Sequence, residues 1–364
     1  MPYHVQFPGF GWEFDINPIA FSIGDYKVYW YGIIIACGLL LAVLYAWKSA
    51  PRYKVDGSKL VNCVFAGMIT GIIGARLYFC FFKWDYYGQN PIEILYINNG
   101  GLAIYGGIIG ALAVGLLICK LRKVKYLPML DVTVLGLLIG QGVGRWGNFV
   151  NQEAFGTNTD FFLGMTGGRI QDTIISSTQI GGDMYNSGIE MYWEKTVHPC
   201  FLYESLWCLL GFVLLAWYSK RRKYDGQLLL MYMAWYGAER FVVEGLRTDS
   251  LYIGKIRVSQ ALSAIIFIVS VIIQIVMFFR IKRDPESYEL YANTEESRLL
   301  IEETRRKKLG ISAEDVKIDL DDESVFDDDD TDENGSDDES GSPAAESGGE
   351  KENAEEEKED GTDN

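Results

Sequence analysis

Histidine is scarce in this chain, and its cysteines lack the spacing of metal ligands. Only two histidines occur among 364 residues, His4 and His198, which argues against a centre built from imidazole ligands. All six cysteines lie inside or at the ends of apolar runs, none in CxxC spacing, as is typical of small buried hydrophobes. A basic segment is also missing ahead of the first apolar run, so we expect no cleaved signal peptide. We predict no disulfide framework, no metal site and no cofactor.

Charge is distributed unevenly along the chain. The net charge is −16, but residues 313–364 hold 24 Asp or Glu and 3 Lys, which leaves +5 on residues 1–312. A segment with so few apolar residues cannot offset the entropy lost on folding. We therefore predict a disordered, solvated acidic tail at 313–364 and a separate, weakly basic body.

Seven apolar runs in that body predict membrane-spanning helices, because ~20 helical residues cross a hydrocarbon core about 30 Å thick. The runs lie at 28–47, 60–82, 102–119, 129–145, 200–219, 228–243 and 258–279. Basic residues cluster after the first, third, fifth and seventh runs, and positive charge stays on the cytoplasmic side. We predict an all-α polytopic membrane protein with about seven transmembrane helices, its N-terminus outside and its C-terminus inside.

This topology divides the chain into six parts. A small Gly-rich extracytoplasmic cap, with short β-like stretches such as 173–180, is expected after the fourth span. A cytoplasmic surface helix over 285–309, ended by Gly310, is expected after the seventh. The predicted parts are the extracytoplasmic N-terminal segment 1–27, spans one to four in 28–145, the cap 146–199, spans five to seven in 200–282, the surface helix 283–312 and the tail 313–364.

Three arginines, Arg76, Arg145 and Arg240, lie in or beside the spans. A central arginine costs roughly 2.5–3.5 kcal/mol on insertion scales, so each needs a partner within the bundle. One interpretation is a structural ion pair with a glutamate of the later spans, for which the candidates are Glu204, Glu239 and Glu244. The other is recognition of a phosphate, because a guanidinium presents a planar fork to an anion. All three arginines approach the outer side, which favours a shared anionic site.

The most informative stretch is 144–156, which reads GRWGNFVNQEAFG. It places a cation, two asparagines and a carboxylate among glycines at the outer end of the fourth span. Amides and carboxylates near lipid are costly unless they form hydrogen bonds. A polar lipid head group with hydroxyls would supply such bonds.

This stretch resembles the GRxGNFxNxExxG signature of the prolipoprotein diacylglyceryl transferase family. Further resemblance extends through most of residues 10–282. The segment after about residue 290 does not resemble the family. The other similar stretches are 30–32, 74–76, 100–107, 198–204 and 240–249.

The resemblance implies a reaction and its partners. An sn-1,2-diacylglyceryl group would move from phosphatidylglycerol to the lipobox cysteine thiol of a pre-lipoprotein, forming a thioether and releasing glycerol phosphate. Such a displacement needs a thiolate, from a thiol of pKa ~8.5, and stabilisation of the departing phosphate. The expected partners are phosphatidylglycerol, lipobox-containing pre-lipoproteins and the lipid bilayer, with no nucleic acid. The expected location is the bacterial cell membrane, with the active site toward the extracytoplasmic side.

The arginines are the expected phosphate ligands. We hypothesise that Arg145 and Arg240 hold the phosphate during the reaction. Arg76 and Arg247 complete the set expected to bind phosphatidylglycerol.

The remaining motif residues are expected to shape the site. Asn148, Asn151 and Gly156 would line the head-group pocket. Glu153 and Glu244 would orient the arginines, or one of them would take the thiol proton.

The general base is left open by the sequence. By family analogy Tyr31 lies close to the reaction. Some family members carry a histidine where this chain has Tyr105, and a tyrosine with a pKa of about 10 is a poor base. His198 has suitable chemistry, but packing at the helix entry before Pro199 is its commoner explanation.

Three other functions are compatible with some of these features. A transporter of an anionic solute or lipid would also use intramembrane charges, but no internal repeat is evident. A scaffold would need the tail at 313–364 for function. A metal-dependent lipid-phosphate transferase would need aspartate clusters, which the predicted spans lack. The diacylglyceryl transferase is the favoured interpretation.

Overall fold

The fold is described from a computed structural model. It covers residues 3–96, 100–248, 252–253 and 256–309. The predicted acidic tail at 313–364, the predicted stop at Gly310 and the motif residue Asp249 lie outside the described residues.

The described chain is mostly helical. Its helices are α1 (Trp30–Ser49), α2 (Gly57–Phe82), α3 (Trp84–Tyr87), α4 (Ile104–Leu121), α5 (Tyr126–Asn151), α6 (Gly168–Thr178), α7 (Asp183–Asn186), α8 (Cys200–Ser219), α9 (Gln227–Leu246), α10 (Val258–Arg283) and α11 (Glu295–Leu309). Within the described residues, six helices are long and apolar enough to cross a membrane, namely α1, α2, α4, α5, α8 and α10. The prediction of an all-α polytopic membrane protein is confirmed.

The predicted sixth span forms α9, which is more polar than the other long helices. Glu239, Arg240 and Glu244 all lie in its last turns, so any 18-residue window of this helix holds three charges. Helix α9 packs against α5, α8 and α10. Its length suits a span, and its charges face neighbours within the bundle.

Glycine faces let two pairs of helices approach closely. A Cβ atom at Gly74 of α2 would lie 2.5 Å from the carbonyl oxygen of Gly106 in α4. A Cβ atom at Gly136 of α5 would lie 2.7 Å from the carbonyl oxygen of Ala42 in α1. Small residues at these contacts allow backbones to pack directly against each other.

Short strands and loops form a layer at the end of the bundle where α5 finishes. The strands are β1 (Tyr3–Phe7), β2 (Trp12–Ile16), β3 (Ile19–Ile23), β4 (Tyr26–Tyr29), β5 (Thr166–Gly167), β6 (Tyr252–Ile253) and β7 (Ile256–Arg257). One sheet has the order β2-β1-β5, and β3 pairs with β4 in a hairpin. Buried side chains beneath this layer include Val5, Phe155, Met165, Ile170 and Val197.

The expectation of a β-like stretch at 173–180 was wrong, because most of it belongs to helix α6. Ile170 and Ile174, one turn apart, are both buried, which is helical and not alternating periodicity. The hydroxyl of Thr173 donates to the carbonyl oxygen of Arg169 at 2.8 Å, within the helix. The β-branched residues of this stretch therefore lie in a helix with one buried, apolar face.

Two helix boundaries also differ from expectation. Helix α5 continues to Asn151 instead of ending near Arg145, so more than half of the motif at 144–156 is helical. The helix predicted over 285–309 begins at Glu295, after a short turn of 3-10 helix at Tyr291–Asn293.

Candidate active site

Glu204 is the buried centre of a cluster of charged side chains. It lies in the second turn of α8, which begins immediately after Pro199, and its side chain is 1% exposed. Its Oε2 atom is 3.0 Å from Arg145 Nη1, and its Oε1 atom is 3.3 Å from Arg240 Nη1. Arg247 Nη1 is 4.0 Å from the same Oε1 atom. We call Arg145, Arg240 and Arg247 around Glu204 the arginine cluster.

Hydrogen bonds between α5 and α8 hold Arg145 beside Glu204. The indole of Trp146 donates to the hydroxyl of Ser205 at 3.1 Å. That hydroxyl donates to the carbonyl oxygen of Gly142 at 2.8 Å. These contacts flank Arg145 and Glu204 in sequence, so they fix the two side chains against each other.

The other arginines are supported by α9 and the chain after it. Arg240 pairs with Glu244 one turn later on α9. Arg257 Nη1 donates to the carbonyl oxygen of Glu244 at 2.5 Å. Glu239 is buried, and within the described chain its Oε1 atom has no hydrogen-bond partner. Glu204 and Glu244 therefore balance much of the charge of the arginines inside the protein.

The motif turns back on itself where α5 ends. Gln152 adopts a left-handed conformation with φ of 51° and caps the helix. The backbone N–H of Glu153 then donates to the carbonyl oxygen of Asn148 at 3.0 Å. The Asn148 side-chain amide donates to Glu153 Oε1 at 2.9 Å. This fold-back holds the Glu153 carboxylate over the last turn of α5.

The backbone of Gly156 pairs with the residue after α9 and with a residue just before α8. It forms an antiparallel bridge with Arg247, and its N–H donates to the carbonyl oxygen of His198 at 3.0 Å. A Cβ atom here would lie 2.8 Å from His198 Cβ and 3.0 Å from Cys200 Sγ. The position therefore requires glycine, and its backbone pairing places Arg247 at the cluster.

A cavity of about 420 Å³ lies between α1 and α5. Arg145 and Asn148 line its polar part, and Tyr31 lies beside them against Gly147. The remaining lining, mostly apolar, comprises Ile35, Leu39, Ala42, Leu137, Gly140, Gln141 and Gly144. We call this the lipid cavity, because its lining suits an apolar chain that ends in an anionic group.

A second cavity, of about 880 Å³, also has Tyr31 in its wall. Asn151 lines this second cavity together with Arg169. The two asparagines of the motif therefore line different cavities that share Tyr31.

The guanidinium of Arg76 binds backbone carbonyl groups outside the arginine cluster. Its side chain is buried, and its five N–H donors all reach backbone carbonyl oxygens at 2.6–3.1 Å. The accepting residues are Glu93, Ile94, Tyr96, Gly100 and Gly101. Within the described residues no hydrogen bond or ion pair links Arg76 to a carboxylate, to Arg145 or to Arg240. The structure does not place it in the arginine cluster, because carbonyl groups already satisfy a guanidinium with five donors.

Tyr105 and His198, considered as bases besides the two glutamates, differ in their surroundings. Tyr105 lies in the first turn of α4, half-buried, and its hydroxyl forms no hydrogen bond in the described part of the chain. His198 Nδ1 is 3.2 Å from the Tyr203 hydroxyl. Burial lowers the pKa of His198, which favours its neutral form. Its contacts are those of a residue packed at the entry to α8.

Sequence reasoning placed Glu204 among the ion-pair partners but not among the site residues. Its signal was a single charge inside an otherwise apolar run, which marks an interior-facing group. Glu239 lies instead beside a second charge, Arg240, in α9. The structure adds that Glu204 contacts three arginines from two different parts of the chain.

Comparisons with known proteins identify the family of this chain. A family model described as "Prolipoprotein diacylglyceryl transferase" matches residues 18–276. A protein of Staphylococcus saprophyticus named phosphatidylglycerol–prolipoprotein diacylglyceryl transferase is 43% identical over 276 residues, 75% of this chain and 93% of that protein. Proteins of the same name from Finegoldia magna and Bacillus cereus are 42% identical over 261 residues and 41% identical over 263 residues. These matches cover 71% and 72% of this chain, and 95% and 92% of the relatives. The chain belongs to the prolipoprotein diacylglyceryl transferase family.

Proposed function

We propose that this transferase moves the diacylglyceryl group of phosphatidylglycerol onto the lipobox cysteine of pre-lipoproteins in the bacterial cell membrane. Family membership and the names of the relatives support this function over transport of an anionic solute or lipid. The observation that carries the site assignment is Arg145, which lines the lipid cavity while Glu204 holds one of its nitrogens. An anionic head group in that cavity would meet a guanidinium already fixed in place.

The chemistry is a displacement at carbon. The cysteine sulfur forms a bond to the glyceryl carbon that carries the phosphate ester, and the carbon–oxygen bond to phosphate breaks. The electron pair leaves with the phosphate, and the thiol proton passes to a base. Arg145 and Arg240 would stabilise the charge that develops on the departing oxygen, in a site where preorganised donors act strongly.

Glu153 is the better of the two predicted proton acceptors. Its Oε1 atom accepts from Asn148, a residue that lines the lipid cavity. Glu244, by contrast, is 1% exposed and paired with Arg240. We assign proton transfer to Glu153 and support of Arg240 to Glu244.

We further propose seven spans, with the site on the extracytoplasmic side. The end of α5, the start of α8 and the end of α9 meet at the arginine cluster. Basic residues are concentrated beyond the opposite end of the bundle, after α1, α4, α8 and α10. Because positive charge stays in the cytoplasm, the cluster faces outward.

A transfer assay tests this function. Purified protein in detergent receives phosphatidylglycerol and a lipobox peptide, without added metal, and mass spectrometry follows the peptide. We expect a mass gain of one diacylglyceryl unit, which is lost when the peptide cysteine becomes serine. Arg145→Ala should abolish the gain while thermal unfolding shows a folded protein. Full activity of this variant would reject the assignment of Arg145.

A further inference from the structure

The 880 Å³ cavity differs in construction from the lipid cavity. Strands β3 and β4, the start of α1 and the end of α5 surround it. Both polar and apolar groups line it, and the polar ones include Asn17, Tyr31, Asn151 and Arg169. We call it the outer cavity, because more than half of its lining residues lie outside the spans, in strands, a loop and α6.

Arg169 is fixed at the wall of this cavity by the end of α5. Its backbone N–H donates to the Oε1 atom of Gln152 at 3.1 Å, and Gln152 is 2% exposed. The approach depends on Gly167, where a Cβ atom would lie 2.4 Å from that same Oε1 atom. Asn151 immediately precedes Gln152. The hydrogen bond between Gln152 and the Arg169 backbone therefore holds Arg169 and Asn151 in the same wall of the cavity.

Two polar side chains of this wall have no partner in the described part of the chain, whereas a third, Asn17, accepts from the N–H of Ile19 at 3.0 Å. Within the described residues, the side chains of Asn151 and Arg169 form no hydrogen bond or ion pair. Strands β3 and β4 pair only with each other in the described chain, so each keeps an edge with free backbone groups. Donor side chains beside a free strand edge suit an extended polypeptide, which can bind by adding to that edge.

We propose that the outer cavity binds the polypeptide substrate, with Arg169 and Asn151 donating hydrogen bonds to its backbone carbonyl oxygens beside the reacting cysteine. This assignment rests on the proposed function, whose two substrates must meet at one point. Tyr31 lines both cavities, so the two substrates would meet beside it. The mostly apolar lipid cavity is left for phosphatidylglycerol.

The test separates the two substrates. Arg169→Gln and Arg169→Lys are compared with wild type, and Lys27→Gln is the matched control. Lys27 is exposed on β4 and does not line the outer cavity. The Lys27→Gln substitution therefore removes a positive charge from the same layer without changing the cavity wall. KM is measured for the lipobox peptide and for phosphatidylglycerol. Binding of the unreactive Cys→Ser peptide is measured in phosphatidylcholine nanodiscs.

We expect Arg169→Gln to raise the peptide KM and weaken binding of the unreactive peptide about ten-fold, the effect of one lost charge-assisted hydrogen bond. Arg169→Lys should recover part of this loss, and Lys27→Gln should leave both values unchanged. A rise in KM for phosphatidylglycerol alone would make the outer cavity a lipid site and overturn the inference. Unchanged peptide binding would also overturn it. Absence of transfer by wild type would count against the proposed function. Binding of the unreactive peptide needs no transfer, so it tests the outer cavity independently.

Discussion

Arg145 Nη1 lies 3.0 Å from Glu204 Oε2, and this contact joins the family motif of α5 to α8. Glu204 also lies within 4.0 Å of Arg240 and Arg247. Charges removed from water are costly unless paired, and removal of one partner leaves the others uncompensated. One buried carboxylate thus lets three guanidinium groups gather at a single point of an apolar bundle.

Glu204→Gln keeps the shape of the side chain and removes its charge. We expect a loss of stability on the order of 3–5 kcal/mol, the usual cost of breaking a buried pair, together with a large loss of transfer. Thermal unfolding in detergent and the transfer assay measure the two effects. Glu194→Gln, at an exposed position, is the control and should change neither. An unfolding temperature equal to that of wild type would show that Glu204 does not balance the cluster.

Gly156→Ala should displace the backbone that holds Arg247. The new methyl group would overlap His198 and Cys200, and overpacking of this kind typically costs about 1–3 kcal/mol. We expect lower stability and weaker transfer, measured by thermal unfolding and KM for phosphatidylglycerol. Gly107→Ala, where the new atom meets ordinary contacts at 3.5 Å, is the control. Wild-type behaviour of Gly156→Ala would mean that the bridge to Arg247 is dispensable.

Arg76→Lys separates a structural role from lipid binding. A lysine has three donors for the five carbonyl groups that Arg76 satisfies. We expect a lower unfolding temperature, because buried carbonyl groups would lose their partners. If Arg76 bound the lipid phosphate instead, the KM for phosphatidylglycerol would rise while the unfolding temperature stayed constant.

Removal of residues 313–364 tests the scaffold alternative. The proposed reaction uses the arginine cluster and the two cavities, all of which lie within residues 1–312. We therefore expect the truncated chain to retain nearly full transfer activity in the purified assay. A loss of transfer comparable to that of Arg145→Ala would restore a functional role for the acidic tail.

The spans and the motif could be predicted from sequence because both are local signals. An uncharged run such as 258–279 predicts a membrane helix from its length and composition alone. The ordered spacing of residues 144–156 predicted the family, which the comparisons confirmed. The stretch 173–180 was misread because β-branched residues suit either structure until their packing partners are known.

The role of each intramembrane arginine could not be read in the same way. Arg76, Arg145 and Arg240 carry the same sequence signal, a lone cation in or beside an apolar run. The structure gives Arg76 five carbonyl partners and gives the other two a shared carboxylate. These partners come from distant positions in the chain, and their proximity depends on helix packing.

The sequence alone determined that this chain is a helical membrane protein and to which family it belongs, since hydrophobic runs and ordered motifs need no knowledge of contacts. Only the tertiary structure decided that Glu204 gathers Arg145, Arg240 and Arg247, and that two cavities meet at Tyr31. The physical reason is that burial and pairing of charges are properties of packed helices. Residues more than 50 positions apart in this sequence, such as Arg145 and Glu204, become neighbours only when α5 and α8 pack together.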